Sequence, residues 1–408
     1  MWLLLALTLA WGAFAWYRPR YAVLSFPILL PAYLLRGDFF GLPTTLLELT
    51  WAATLFTATF RLGFGPWRLG WHKLRAWAPA LILWSLASAI AVTVAPDHLT
   101  ALGLWRAYFL EPILFFILLC GLMETAKERR WLISALITSV AFVALWSIIQ
   151  FTTNRGIPSP WNTDLAHRRA TGPFPFPNAA SLYTAPIAAL LIGLFSISKT
   201  DLKSSKLYAF GASAGALATL LAKSVGGFLG ILSSAILTLA ASAKLRKYLV
   251  GAAALSAILI LTVPQIRTPV VQNLTFQKWS GQVRLFIWRE TWQMLKDRPI
   301  LGAGLGAYPT VFKPYHKATA IEIFQYPHNI LLNLWSELGL LGVGAFVWLC
   351  FVWFRTARHS HWVYALPLVA ILVHGLVDVP YFKNDLSFLF WILAALPISA
   401  AADPKTHV

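Results

Sequence analysis

The sequence predicts an all-α, polytopic integral membrane helix bundle, and three observations carry that prediction. Of 408 residues, 58% are hydrophobic and only 12% charged, about half the charged share of a soluble chain. The apolar residues are gathered into runs close to the ~20 residues that cross a bilayer, about twelve to thirteen of them. Basic residues, 33 against 15 acidic for a net charge of +18, fall mostly in alternate connections, as the positive-inside rule requires. Cys120 and Cys350 sit within apolar runs and read as small hydrophobes, with no disulfide or metal cluster implied. Residues 1–408 therefore read as one membrane domain, without a soluble domain or internal repeat.

Met1 to Tyr17 is apolar, with Arg18 and Arg20 after it and no basic residue ahead, which favours an anchor over a cleaved signal. Tyr21 to Leu35 and Leu42 to Phe60 follow, the first short for a span. The basic stretch Arg61, Arg68, His72, Lys73, Arg75 precedes Trp77 to Val94, and Lys127, Arg129, Arg130 separate Thr100 to Leu122 from Trp131 to Phe151. The remaining expected spans are Ala179 to Ile197, Leu207 to Ala222, Ser224 to Ala243, Tyr248 to Val263, Asn329 to Phe354, Trp362 to Val377 and Leu386 to Ala401. Further basic clusters at Lys199, Lys203 and Lys206, at Lys244, Arg246 and Lys247, and at Arg355 and Arg358 all fit a cytoplasmic side.

Two connections on the opposite side break the charge pattern. The outer loop 152–177 holds Arg155, Arg168 and Arg169. The large extracytoplasmic loop 264–328 holds Arg267, Lys278, Arg284, Arg289, Lys296, Arg298, Lys313 and Lys317 against Glu290, Asp297 and Glu322. Long loops tolerate such an excess; the functional reading is an anion site at the outer membrane face. Gln282 to Lys296 within this loop has helical periodicity, with Ile287, Trp288, Trp292 and Leu295 on one side and Arg289, Gln293 and Lys296 on the other. Arg284 lies on the apolar side, where a guanidinium needs a counter-anion unless it snorkels or joins a structural ion pair. A diphosphate suits it, because the planar fork binds phosphate oxygens bidentately.

The loop ends at Gln325 to Gly344, QYPHNILLNLWSELGLLGVG. Pro327 stops what precedes it, and His328 and Asn329 are expected in the first turn of the next helix. A helix N-terminus favours anions and suits a nearby imidazole to general-base work. Asn329, Asn333, Ser336 and Glu337 give this helix a polar side that must face protein or water.

His328-Asn329, nine residues, then Gly339-Leu340-Leu341-Gly342 resembles the pattern H-[NSQ]-x9-G-x-x-[GTY] of bacterial O-antigen ligases. Arg284 with Trp288, then Pro299 and Gly302-Ala303-Gly304-Leu305-Gly306, also resembles the region before that histidine in the O-antigen ligase and polymerase superfamily. The specific part of the resemblance is Ser280 to Gly344. It implies a metal-independent, cofactor-free glycosyltransferase in the bacterial cytoplasmic membrane, active on the extracytoplasmic face. Such an enzyme moves a glycan from an undecaprenyl diphosphate carrier to a hydroxyl of a glycan or lipid-linked acceptor, with membrane lipid and no nucleic acid as partner. By the same resemblance, Arg284 holds the diphosphate and His328 activates the acceptor or stabilises the transition state. The family's mid-chain Ser-Arg-Gly context is here Lys223-Ser224-Val225-Gly226-Gly227, with valine in place of arginine. Lys223 and Arg169 are the candidates to replace that charge, and Arg289, Asn329 and Asn333 complete the expected substrate-binding set.

Other polar features read as structural. Asn178 is expected to cap the helix after Phe176-Pro177. Arg106 and Glu111, about 140° apart on an ideal helix, are expected to find partners on other helices. His374 and Asp378, four apart near an outer helix end, are expected to hydrogen-bond each other, with a site role as the alternative. Gly302, Gly304 and Gly306 form a GxGxG without a βαβ unit, so a nucleotide fold is not expected. A repeat-unit polymerase, a lipid-linked glycan flippase and a non-catalytic scaffold are the competing classes; the last two have no need of a base beside an outer-loop cation cluster.

Overall fold

The computed structural model describes residues 2–39, 42–198, 201–241, 275–318 and 320–401, with 246, 262, 264, 268, 271 and 272 between them. Helices dominate, and the sheet among the described residues is one antiparallel hairpin, Arg36–Phe39 with Leu42–Thr45, registered from Arg36 opposite Thr45 to Phe39 opposite Leu42. Among the described residues, five helices are long and apolar enough to cross a membrane: His98–Leu122, Ala126–Thr153, Pro177–Ile197, Ile330–Ser360 and Asn384–Ala401. Gly65–Lys73 and Ala78–Val94, bent by 102°, form a sixth if they act as one broken span. Trp2–Tyr17, Val225–Ala241 and Trp362–Gly375 are shorter apolar helices. The architecture is the all-α, polytopic membrane class expected from composition. The expected span Tyr248 to Val263, with Lys199, Lys244, Lys247 and Arg267, lies outside the described residues.

The expected span Tyr21 to Leu35 is not one α-helix. An α-helix over Pro19–Ser25 passes into a 3₁₀ segment, Phe26–Leu34. Pro27 and Pro31 supply no N–H to an α-helical ladder, which explains the change of winding. This segment enters the core: Val23, Leu24, Phe26 and Leu30 have no exposed surface. Phe26 meets the rings of Trp51, Phe115 and Phe388 at 5.0 to 6.0 Å between centroids. The Asn384–Ala401 helix runs through the middle of the bundle, with Trp391, Ile392, Leu393, Ala394 and Ala395 all fully buried.

Arg106–Leu110 is a π-helical turn inside His98–Leu122. It corrects the expected separation of Arg106 from Glu111. A π turn closes i to i+5, so residues five apart come round to one face. Arg106 Nη1 lies 3.4 Å from Glu111 Oε1, and Nη2 donates to Glu48 Oε1 of the Leu46–Leu62 helix at 2.8 Å. Glu48 also closes a capping box with Thr45.

The two ends of the bundle differ. Basic residues Arg61, Arg68, Lys73, Arg75, Lys127, Arg129, Arg130, Lys203, Lys206, Arg355 and Arg358 flank helix ends on one side, where Lys73 Nζ caps the carbonyls of Cys120 and Met123 at 3.0 and 2.9 Å. The hairpin and the connections 95–97, 154–176, 222–224 and 376–383 gather at the other end, together with the 300–306 loop. Leu305 donates there to Ala91 O at 3.0 Å and Ala170 to Leu221 O at 2.9 Å.

Candidate functional site

The Ile330–Ser360 helix is broken at Gly339, whose φ of 68° and ψ of −172° are non-helical. The break leaves Ser336 O free to accept from Ala303 N at 2.6 Å, and Leu340 N free to donate to Ile300 O at 2.9 Å. Glu337 accepts the Gly306 N–H. Gly302, Gly304 and Gly306 all have positive φ. A Cβ at Gly302 would strike the Trp335 and Ser336 carbonyls. The glycine run is thus a close-approach loop seated in a helix kink. The polar side of the helix faces protein, with Asn333, Ser336 and Glu337 all buried.

This kinked helix begins one residue later than expected. Asn329 is its N-cap, accepting from Leu331 N and Leu332 N at 3.0 Å each, while its Nδ2 donates to Leu376 O at 3.0 Å. His328 therefore lies before the cap rather than in the first turn, with a left-handed φ of 50°. Its ring sits between Phe324 and Tyr326, centroids 5.0 and 5.1 Å away. Trp288 Nε1 donates to Pro327 O at 2.9 Å and so ties the arginine helix, Trp279–Asp297, to the backbone entering His328.

His328 Nδ1 is 3.3 Å from Asp378 Oδ1. Asp378 is 2% exposed. Burial works to raise its pKa, but the His328 hydrogen bond and the charges of His328, His374 and Arg284 outweigh it and hold the carboxyl well below the usual range. An ionised carboxylate only accepts, so in the neutral imidazole the proton belongs on Nδ1 and Nε2 keeps its lone pair. Asp378 Oδ2 accepts from Asn178 Nδ2 at 2.9 Å, and Asn178 Oδ1 accepts from Arg169 Nη2 at 2.8 Å. Arg169 Nε donates to Ala222 O at 2.9 Å. Arg284 Nε donates to Val377 O at 2.9 Å and Nη1 to Ser280 O at 3.0 Å. Burial lowers the pKa of both arginines; Arg284's charge lowers Arg169 further, and Asp378 opposes the shift in each. Nη1 of Arg169 and Nη2 of Arg284 donate to no described group.

Arg169, Arg284 and His328 are thus brought together, with Asn329 bracing the histidine's helix. Lys223 is not: it is exposed, with φ of 48°, its ammonium held by the Ala166 carbonyl and 5.8 Å from the Phe151 ring centroid. Arg289 is exposed on the far side of its helix. Asn178 does not cap. Pro177 takes the first helical position and Phe176 the cap, which leaves the Asn178 amide to bridge Arg169 and Asp378. Nor does His374 bond Asp378. Its helix stops at Gly375, and His374 Nε2 lies 3.5 Å from Ser224 Oγ. On the arginine helix, Ile287 and Leu295 are buried as expected with Thr291 and Met294, while Trp292 is half-exposed, edge-on to Trp335 at 5.6 Å.

Asn178 is the residue that sequence reasoning missed. Asp378, a carboxylate at the end of an apolar helix, reads first as a local pair with His374 and only second as a site residue. The assembled cluster combines an imidazole lone pair, suited to taking a proton from a hydroxyl, with guanidinium donors suited to phosphate oxygens. Among the described residues, no group of three or more His, Cys, Asp or Glu converges.

No curated protein matches the chain. The family model described as O-antigen ligase matches residues 210–347, a stretch that contains Arg284, the glycine loop, His328 and Gly339. In that stretch, which includes the His328-to-Gly342 spacing, the chain is similar to the O-antigen ligase family.

Proposed function

We propose that the protein is a glycosyltransferase of the bacterial cytoplasmic membrane, working on the extracytoplasmic face without a metal. It moves a glycan from an undecaprenyl diphosphate carrier to an acceptor hydroxyl. The observation that carries this reading is the meeting of His328, Asp378, Arg284 and Arg169 at one end of the bundle, from segments far apart in the chain. In this reading His328 Nε2 takes the proton of the acceptor hydroxyl as its oxygen attacks the anomeric carbon. The bond from that carbon to the diphosphate oxygen breaks, and the departing diphosphate keeps the electron pair. Arg284 and Arg169 donate to the phosphate oxygens as charge builds on them, which is the electrostatic stabilisation such a displacement needs. Asp378 fixes the ring orientation and balances the imidazolium that forms.

The nearest variant of this reading is a polymerase that transfers the glycan to a second carrier-linked glycan. Val225, in place of the arginine expected of a ligase, favours keeping it. The chemistry at His328 is the same. The test is transfer by purified protein from a carrier-linked donor. His328→Ala is expected to lose about 10²- to 10⁴-fold in kcat, and Arg284→Ala about 10²- to 10³-fold. Transfer by both variants at the parent's rate sinks the proposal.

A further inference from the structure

Beside Tyr326 lies a small recess, a cavity of about 20 Å³, enough for one hydroxyl-sized group. Its walls include Tyr108, Gln325, Tyr326, Asn333, Glu337 and Gly306. Asn333 is 1% exposed, and neither its Oδ1 nor its Nδ2 has a partner among the described residues. A buried amide left without a partner is costly, so a structural role alone gives no reason to keep it.

The recess differs from the arginine cluster in its lining. Glu337 already accepts the Gly306 N–H, and no Arg, Lys or His is among the residues that line it, so no cation there answers an anion. A hydroxyl both donates and accepts, and so matches both ends of the Asn333 amide. The Tyr108 and Tyr326 rings offer apolar faces of the kind that cover the C–H surface of a sugar. Tyr326 also packs 5.1 Å from the His328 ring, centroid to centroid, so one residue serves both as a wall of the recess and as a neighbour of the imidazole.

We propose that this recess is the acceptor subsite, taking a non-reacting hydroxyl of a neutral glycan on Asn333 while a neighbouring hydroxyl faces His328. The assignment rests on the glycosyltransferase reading for the word acceptor, but glycan binding there does not. The site thus divides at His328 into a cationic half for the diphosphate and a half without cations for the sugar.

The experiment uses full-length protein in lipid nanodiscs with Cys350→Ala and Gln325→Cys, which places an exposed thiol at the mouth. Maleimide labelling is timed with methyl glycosides of glucose, galactose, rhamnose and N-acetylglucosamine as probes. At least one is expected to slow labelling by 1 + [L]/Kd, about threefold at twice its Kd. Asn333→Leu and Asn333→Asp should each abolish that protection, His328→Ala should leave it intact, and Asn333→Leu should melt at or above the parent temperature. Protection by no glycoside, which would mean a solvent molecule only, overturns the proposal. So does protection that survives both Asn333 variants, or an Asn333→Leu protein that melts well below the parent. Glycoside protection in a parent that transfers nothing from a carrier-linked donor would instead sink the glycosyltransferase reading and leave the glycan site standing.

Discussion

Two ionic clusters in this bundle show opposite charge arithmetic. Around Arg106, one guanidinium meets two carboxylates, Glu48 and Glu111, across a π-helical turn. Around Asp378, one carboxylate meets an imidazole and lies within the field of two half-buried guanidinium groups. The first cluster has its cation fully answered by protein. The second holds more positive charge than its own carboxylate offsets, along with guanidinium N–H groups that no described residue receives. A buried cation without a full answer is destabilising by itself, and in the proposed function the diphosphate supplies that answer. On that proposal, the difference separates an ion pair that organises helices from one that also binds substrate.

That contrast can be broken by exchanging what each cluster depends on. Asp378→Asn keeps the shape but removes the carboxylate, so kcat is expected to fall about 10²-fold or more, measured in the same transfer assay. The sign of its pH effect follows from the depressed carboxyl. The stabilisation is present above the unfolded value of about 3.9 and is lost as pH falls through the folded one. Thermal melting of the parent should therefore weaken at the acid end below about pH 4, and Asp378→Asn should flatten that limb. If the variant transfers normally, the Asp378 cluster is only another structural pair.

Arg106→Met tests the other side. It strands Glu48 and Glu111, and a loss of about 2–3 kcal/mol in stability is expected, on the scale of a broken buried pair reduced for the exposure of Arg106, with kcat of the folded fraction nearly unchanged. A selective loss of kcat would erase the distinction between the clusters. The effects shrink further outside both. Lys223→Ala and Arg289→Ala, at exposed positions, should stay within about twofold of the parent, and a larger loss would return them to the site. EDTA is expected to change nothing, since guanidinium groups meet the diphosphate in this mechanism. Loss restored by one added divalent ion would replace that account.

Much of the fold was legible because a bilayer forces backbone polar groups into helices and leaves apolar runs as the record. Where local chemistry bends the rule, the record is less direct. Pro27 and Pro31 turned an apolar run into a 3₁₀ segment, and the π turn at Arg106–Leu110 brought together two side chains that ideal geometry keeps apart. Half of the proposed site was legible too. Arg284 stood out as a cation on an apolar helix face, and His328 as a histidine after a proline at a helix start.

By itself, the sequence determined the membrane class, the amphipathic arginine helix and the His-Asn to Gly-x-x-Gly spacing, because each is a local pattern of residues within a few turns. Only tertiary structure decided who answers whom. Asp378 meets His328 across 50 positions and Asn178 across 200, and Arg284 meets the Val377 carbonyl across 93. No periodicity records such distances; they are set by how the helices pack and where Gly339 breaks one of them. The same packing placed Asn178 inside its helix, where its amide links Arg169 to Asp378, instead of at the cap.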